Sequence, residues 1–199
     1  LLILLSWLTL VFISGISLMI FIIFFSISLV LVLYMVLFIE KFDYIRKRIE
    51  SFFHPSTGTH GGQAEKSVDA ITSGGFFGKG IGEGTLKGRV PEAHTDYIVS
   101  VMSEEFGVVL IILLLVIFLF FIYTIFQRIY LEENEKIKLV LAGAITLIMF
   151  QALIHIGVNI NLLPTTGMPL PFFSYGGSSI IGLSILSGII LNLTKRKIS

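Results

Sequence analysis

Apolar residues run almost without a break from Leu1 to Phe38, and again over 108–126, 139–160 and 172–193, while residues 39–107 mix short apolar and polar patches. A helix needs about 20 apolar residues to cross roughly 30 Å of hydrocarbon, so each of the last three runs predicts one membrane span. The first run is too long for one crossing without extreme tilt. Ser14-Gly15 offers a turn within it, which predicts a span over about 1–13 and another over 16–38. The opening LLILLSW has no Met, basic flank or cleavage site and reads as a piece that begins inside a membrane helix.

Composition agrees with this pattern. Of 199 residues, 55% are hydrophobic, and the mean hydropathy is +0.95, outside the range of soluble domains. Backbone polar groups in lipid must be satisfied internally, so an all-α polytopic bundle is expected. The absence of Cys excludes thiol chemistry and disulfides. A net charge of +1 gives no reason to expect a nucleic-acid partner.

The positions of the charges matter more than their sum. Basic residues gather at Lys41, Arg46, Lys47 and Arg48, at Arg128, Lys136 and Lys138, and at Lys195, Arg196 and Lys197. If all three clusters are cytoplasmic, the number of crossings between any two is even. Between the first two there is one evident span, 108–126, so parity predicts another over 61–81, polar and broken near Gly74-Gly75. Its Ala64, Val68, Ile71 and Phe76 would face neighbouring helices and its polar side a cleft. This topology makes 82–106 and 161–171 extracytoplasmic loops of a single membrane domain.

The stretch 84–107 carries Glu92, His94, Asp96, Glu104 and Glu105 beside a long apolar run, and ionisable groups at the lip of a bilayer are functional candidates. Pro91 suggests entry to a helix and Thr95 an N-cap, which would set Asp96 in the first turn. Asp96, Ser100, Ser103 and Gly107 would then share a polar face. Such a carboxylate can be a general base, a metal ligand or a capping charge. Lys87, Arg89 and His94 lie close enough in sequence to hold an anion. Lys79, in FFGKGIGEG, can meet a phosphate as a point charge, although the strand-loop-helix setting of a phosphate loop is missing. Pro164, Pro169 and Pro171 stiffen the second loop, and Gly176, Gly177, Ser178 and Ser179 permit close packing.

Three runs, TSGGFFGKGIGEG from Thr72, PEAHTDYIVSVMSEEFG from Pro91 and LLPTTGMPLPFFSYGGSS from Leu162, resemble the SEDS family (shape, elongation, division, sporulation) of peptidoglycan glycosyltransferases. The resemblance covers essentially the whole chain and corresponds to the C-terminal part of a ten-span fold with a large extracytoplasmic loop. PEAHTD and HIGVNINLLPTTG are closer to the cell-division branch than to the elongation branch. Tyr97 and Phe173 stand where Phe and Ile or Val are frequent in the family.

The resemblance implies that Asp96 is the catalytic base and that the reaction polymerises lipid II into glycan strands. An Asp carboxyl is ordinarily ionised at neutral pH. Lys87 first, then Lys79 and Arg89, would meet the pyrophosphate, with Glu92 and His94 also near substrate. A divalent cation, Mg or Mn, would fit that role, but the sequence offers no dedicated cage. Implied partners are lipid II, the lipid-linked glycan chain, membrane lipid, a class B penicillin-binding protein and other divisome membrane proteins, at the plasma membrane of the bacterial septum. A lipid II flippase using the 61–81 cleft, a scaffold and an elongation polymerase are the alternatives.

Overall fold

The computed structural model describes residues 2–54, 59–89 and 93–195. Among them are nine α-helices and no strand: α1 Leu2–Ile13, α2 Leu18–Phe38, α3 Asp43–Phe53, α4 Thr59–Gly74, α5 Leu86–Arg89, α6 Ile98–Phe106, α7 Val108–Leu131, α8 Glu135–Asn159 and α9 Gly177–Thr194. Helices α2, α7, α8 and α9 are long and apolar enough to cross a membrane. Gly15, at φ 79°, turns the chain between α1 and α2.

Helix α8 is the axis of the bundle. Asn134 caps it by accepting from the Lys136 amide at 3.0 Å. Leu141, Ile145 and Ile148 of α8 are fully buried among Leu114, Phe118 and Ile125 of α7, Leu183 and Ile190 of α9, and Leu10 of α1. Helix α2 has no buried residue. Its apolar circumference suits contact with lipid tails along most of its length.

The polar crossing expected over 61–81 falls on α4 and the coil that follows it. Helix α4 has 16 residues of mixed polarity and is not among the helices long and apolar enough to span. Arg48 on α3 donates to the Thr165 carbonyl at 3.2 Å, which places the first basic cluster where α8 finishes. Lys136 and Lys138 lie at the start of α8, about 36 Å away at 1.5 Å per residue. We propose that the two clusters lie on opposite sides of the membrane, with α7 as the crossing between them.

Helix α4 instead lies against α6 through a row of small residues: Ala64, Ser67, Ala70 and Gly74 are buried. A Cβ at Gly74 would stand 2.1 Å from the Ser103 carbonyl oxygen, so only glycine lets the two backbones approach this closely. Val68 and Ile71 are half-buried, whereas Phe76, expected to face a neighbour, is 75% exposed.

After α4 the chain folds around the end of α6. The Val108 amide donates to Gly75 O at 3.0 Å, and the Lys79 amide to Glu104 O at 2.9 Å. Glu104, one of the ionisable residues of the 84–107 stretch, is 1% exposed. Its Oε1 accepts from Lys79 Nζ at 2.9 Å and from Thr85 Oγ1 at 3.0 Å. Its Oε2 accepts from the Leu86 amide at 2.9 Å. Burial alone would raise the Glu104 carboxyl, but the bonds from Lys79, Leu86 and Thr85 outweigh it and bring it down to about 2.

Candidate active site

Asp96 lies in a turn over residues 93–97, not in a helix. Helix α6 begins at Ile98, flanked by Tyr97 without a side-chain cap, which corrects the expectation that Thr95 caps the helix and Asp96 occupies its first turn. The Thr95 backbone is held differently: its carbonyl accepts from Ser174 Oγ at 2.7 Å. The carbonyls on either side are also engaged. His94 O accepts from the Tyr175 amide at 3.4 Å, and Asp96 O from Asn159 Nδ2 at 3.0 Å. Three successive carbonyls bonded to other segments fix a turn that has no regular structure of its own.

Buried side chains seat the turn from below. Ala93 and Tyr97, at 1% and 2% exposure, pack with Ala70 of α4, Leu86 of α5, Val101 of α6, and Ile154 and Val158 of α8. Asp96 between them is half-buried. A Cβ at Gly167 would lie 3.6 Å from Asp96 Oδ2, so the second loop passes directly over the carboxylate. Gly167 has φ 70°, a conformation suited to glycine.

The second loop is held by one face of α8. Gln151, His155 and Asn159 recur every four residues and so share that face. Gln151 Nε2 donates to Pro169 O at 2.8 Å. His155 Nδ1 is 2.7 Å from Met168 O; a carbonyl only accepts, so Nδ1 carries the proton. Asn159, fully buried, also donates to His155 O at 2.9 Å, and its Oδ1 accepts from the Ser100 amide at 3.1 Å. Ser67 of α4 donates to the Asn159 carbonyl at 2.9 Å, which joins α4, α6 and α8. Ser174 Oγ, besides donating to Thr95, accepts from the Leu170 amide at 2.7 Å.

The polar stripe on α6 therefore has a different role from the one expected. Ser100 and Ser103 are buried at 0% and 1% exposure, and Ser100 faces Asn159 and Ser67 instead of an open cleft. Asp96 precedes the helix and stands apart from that stripe.

The cationic candidates separate. Lys79 pairs with buried Glu104 at 2.9 Å, which assigns its ammonium to the loop. Lys87 and Arg89 lie on α5, whose Leu86 shares the apolar cluster of Ala93 and Tyr97 and so brings this helix beside the Asp96 turn. His94 is exposed. Glu92 lies outside the described residues. Among the described residues no three His, Asp or Glu side chains converge. Sequence reasoning missed Asn159, His155, Gln151 and Ser174; the four-residue recurrence of polar side chains in an apolar helix was the available signal for the first three.

A helical bundle of crossing length, with a carboxylate turn clamped by α8 and the second loop, defines a multi-pass membrane protein whose candidate site lies at the helix ends. The family model for FtsW, RodA and SpoVE, described as cell cycle protein, matches residues 1–198, and the chain belongs to this family. A probable peptidoglycan glycosyltransferase FtsW of Enterococcus hirae is 39% identical over 181 residues, covering 86% of this chain and 46% of that protein. Another, of Caulobacter vibrioides, is 38% identical over 157 residues, covering 78% and 40%. The chain thus spans less than half the length of these relatives. A solved structure described as "Structural coordination of polymerization and crosslinking by a peptidoglycan synthase complex" superposes with TM-score 0.76 at 25% identity, covering all of this chain and 55% of that one.

Proposed function

We propose that this chain carries the catalytic carboxylate of a peptidoglycan glycosyltransferase that polymerises lipid II on the extracytoplasmic side of the plasma membrane during septal wall synthesis. The reading rests on Asp96, a half-buried carboxylate on a turn clamped at three consecutive carbonyls, at the end of the bundle where lipid-linked sugars would meet the protein. Asp96 takes the proton from the acceptor sugar's 4-hydroxyl. That oxygen bonds to the anomeric carbon of the lipid-linked glycan, the anomeric carbon–oxygen bond to diphosphate breaks, and undecaprenyl pyrophosphate leaves with the electron pair. Lys87 and Arg89, on the helix anchored beside the turn, are the cations proposed to meet the leaving diphosphate. A class B penicillin-binding protein would crosslink the product.

The flippase reading required a polar helix through the membrane. With α4 docked at one end of the bundle, that pathway loses its main element. The deciding experiment is polymerisation of lipid II by the full-length parent, wild type against Asp96→Asn. Asn keeps the shape but cannot take the proton, so polymer should fall at least about 10²-fold. Near-normal polymer from a well-folded variant would overturn the assignment.

A further inference from the structure

We propose that the Gln151, His155 and Asn159 face of α8 is a positioning device for the reacting carboxylate, a reading that rests on Asp96 being the base. Asn159 holds the Asp96 backbone from one side through its Nδ2 bond to the carbonyl. His155 and Gln151 hold the Met168 and Pro169 carbonyls, next to Gly167, which lies over Asp96 Oδ2. One rigid helix thereby sets both the carboxylate's own backbone and the wall beside it. Both His155 and Asn159 are buried to 1% exposure or less, so losing either side chain leaves a buried backbone carbonyl without its donor. Asn159 has all its amide capacity engaged, by Asp96 and His155 on nitrogen and by the Ser100 amide and hydroxyl on oxygen.

None of the three is assigned contact with substrate. Each acts on a backbone carbonyl, so loss should lower turnover without weakening substrate binding. A catalytic group displaced by about 1 Å can cost on the order of 10²-fold in rate.

The test uses the full-length parent with lipid II, measuring kcat, KM and melting midpoint for Asn159→Ala, His155→Leu, His155→Asn and Gln151→Leu, beside Asp96→Asn. Asn159→Ala should lower kcat by about 10- to 100-fold with KM within about threefold. His155→Asn returns a donor near the Nδ1 position and should recover most of the activity that His155→Leu loses. A space-filling role would reverse that order, because Leu matches the imidazole volume better. Gln151 is only half-buried, so Gln151→Leu keeps the test open if the deeper variants do not fold; it should lower kcat with an unchanged melting midpoint. Wild-type kcat in Asn159→Ala or in Gln151→Leu, or His155→Leu outperforming His155→Asn, would overturn the device while leaving the polymerase reading intact. An active Asp96→Asn would overturn both.

Discussion

Nη1 of Arg48 donates to the carbonyl oxygen of Thr165 at 3.2 Å, joining residues 117 positions apart. The bond ties α3, which follows an apolar helix with no buried residue, to the loop that passes over Asp96.

From this bond a topology follows that can be read chemically. The native chain has no Cys, so single-cysteine variants report cleanly. Lys47→Cys and Leu162→Cys should react with a membrane-impermeant maleimide from the same side, and Glu133→Cys, between α7 and α8, from the other. Labelling of Lys47→Cys and Glu133→Cys from one side would restore the parity argument and the crossing over 61–81.

Glu104 gives a pH dependence with a definite sign. Its carboxyl is lowered from 4.5 to about 2, so its stabilisation is fully present above about 4.5 and is lost as pH falls through that range toward 2. The loss should approach on the order of 3 kcal/mol, the linkage value of such a shift. The melting gap between wild type and Glu104→Gln should be full at pH 7, shrink below about pH 4.5 and close only toward pH 2. A gap that is constant with pH would contradict this.

Lys79 and Lys87 should separate by phenotype. Lys79→Ala removes a cation from buried Glu104 and should lower the melting midpoint, with turnover of the folded fraction little changed. Lys87→Ala should leave melting unchanged and weaken polymerisation through the leaving diphosphate. Equal melting losses in both variants would argue against this division.

Gly167→Ala probes the space over the carboxylate. The new methyl would stand 3.6 Å from Asp96 Oδ2, an ordinary contact, at a backbone φ of 70°. The left-handed strain should cost about 1 to 2 kcal/mol, and the methyl should narrow access to Asp96, lowering kcat/KM beyond what the melting change accounts for. Activity falling only in step with folded protein would reduce Gly167 to a turn residue.

The long apolar helices were legible because burial in lipid needs only composition and length. Helix α7 continues to Leu131 and α8 starts at Glu135, beyond the apolar windows 108–126 and 139–160, because helix hydrogen bonding carries on through Gln127, Arg128 and Lys136 where hydropathy falls. Helix α3 was visible only as a cluster of basic residues, and its contact with Thr165, 117 positions away, could not be read from charge. The Asp96 turn was found by its motif, but the side chains that hold it belong to residues 63 to 79 positions further on. No local pattern around Asp96 encodes Asn159 or Ser174. The α8 face was legible in principle, but averaging over an apolar window hides three polar residues spaced by four.

The segment between α4 and α5 has almost no regular structure, yet it is wrapped on the Glu104 carboxylate with Gly74, Gly78 and Gly107 pressed against backbone at distances that no side chain could enter. Irregular chain is normally where a protease cuts first. Here cleavage would require an extended stretch of backbone to peel away from α6 and the buried carboxylate to lose its donors at the same moment. The first nick by a broad protease should therefore fall elsewhere on the exposed chain, with this coil surviving as long as the helices on either side of it.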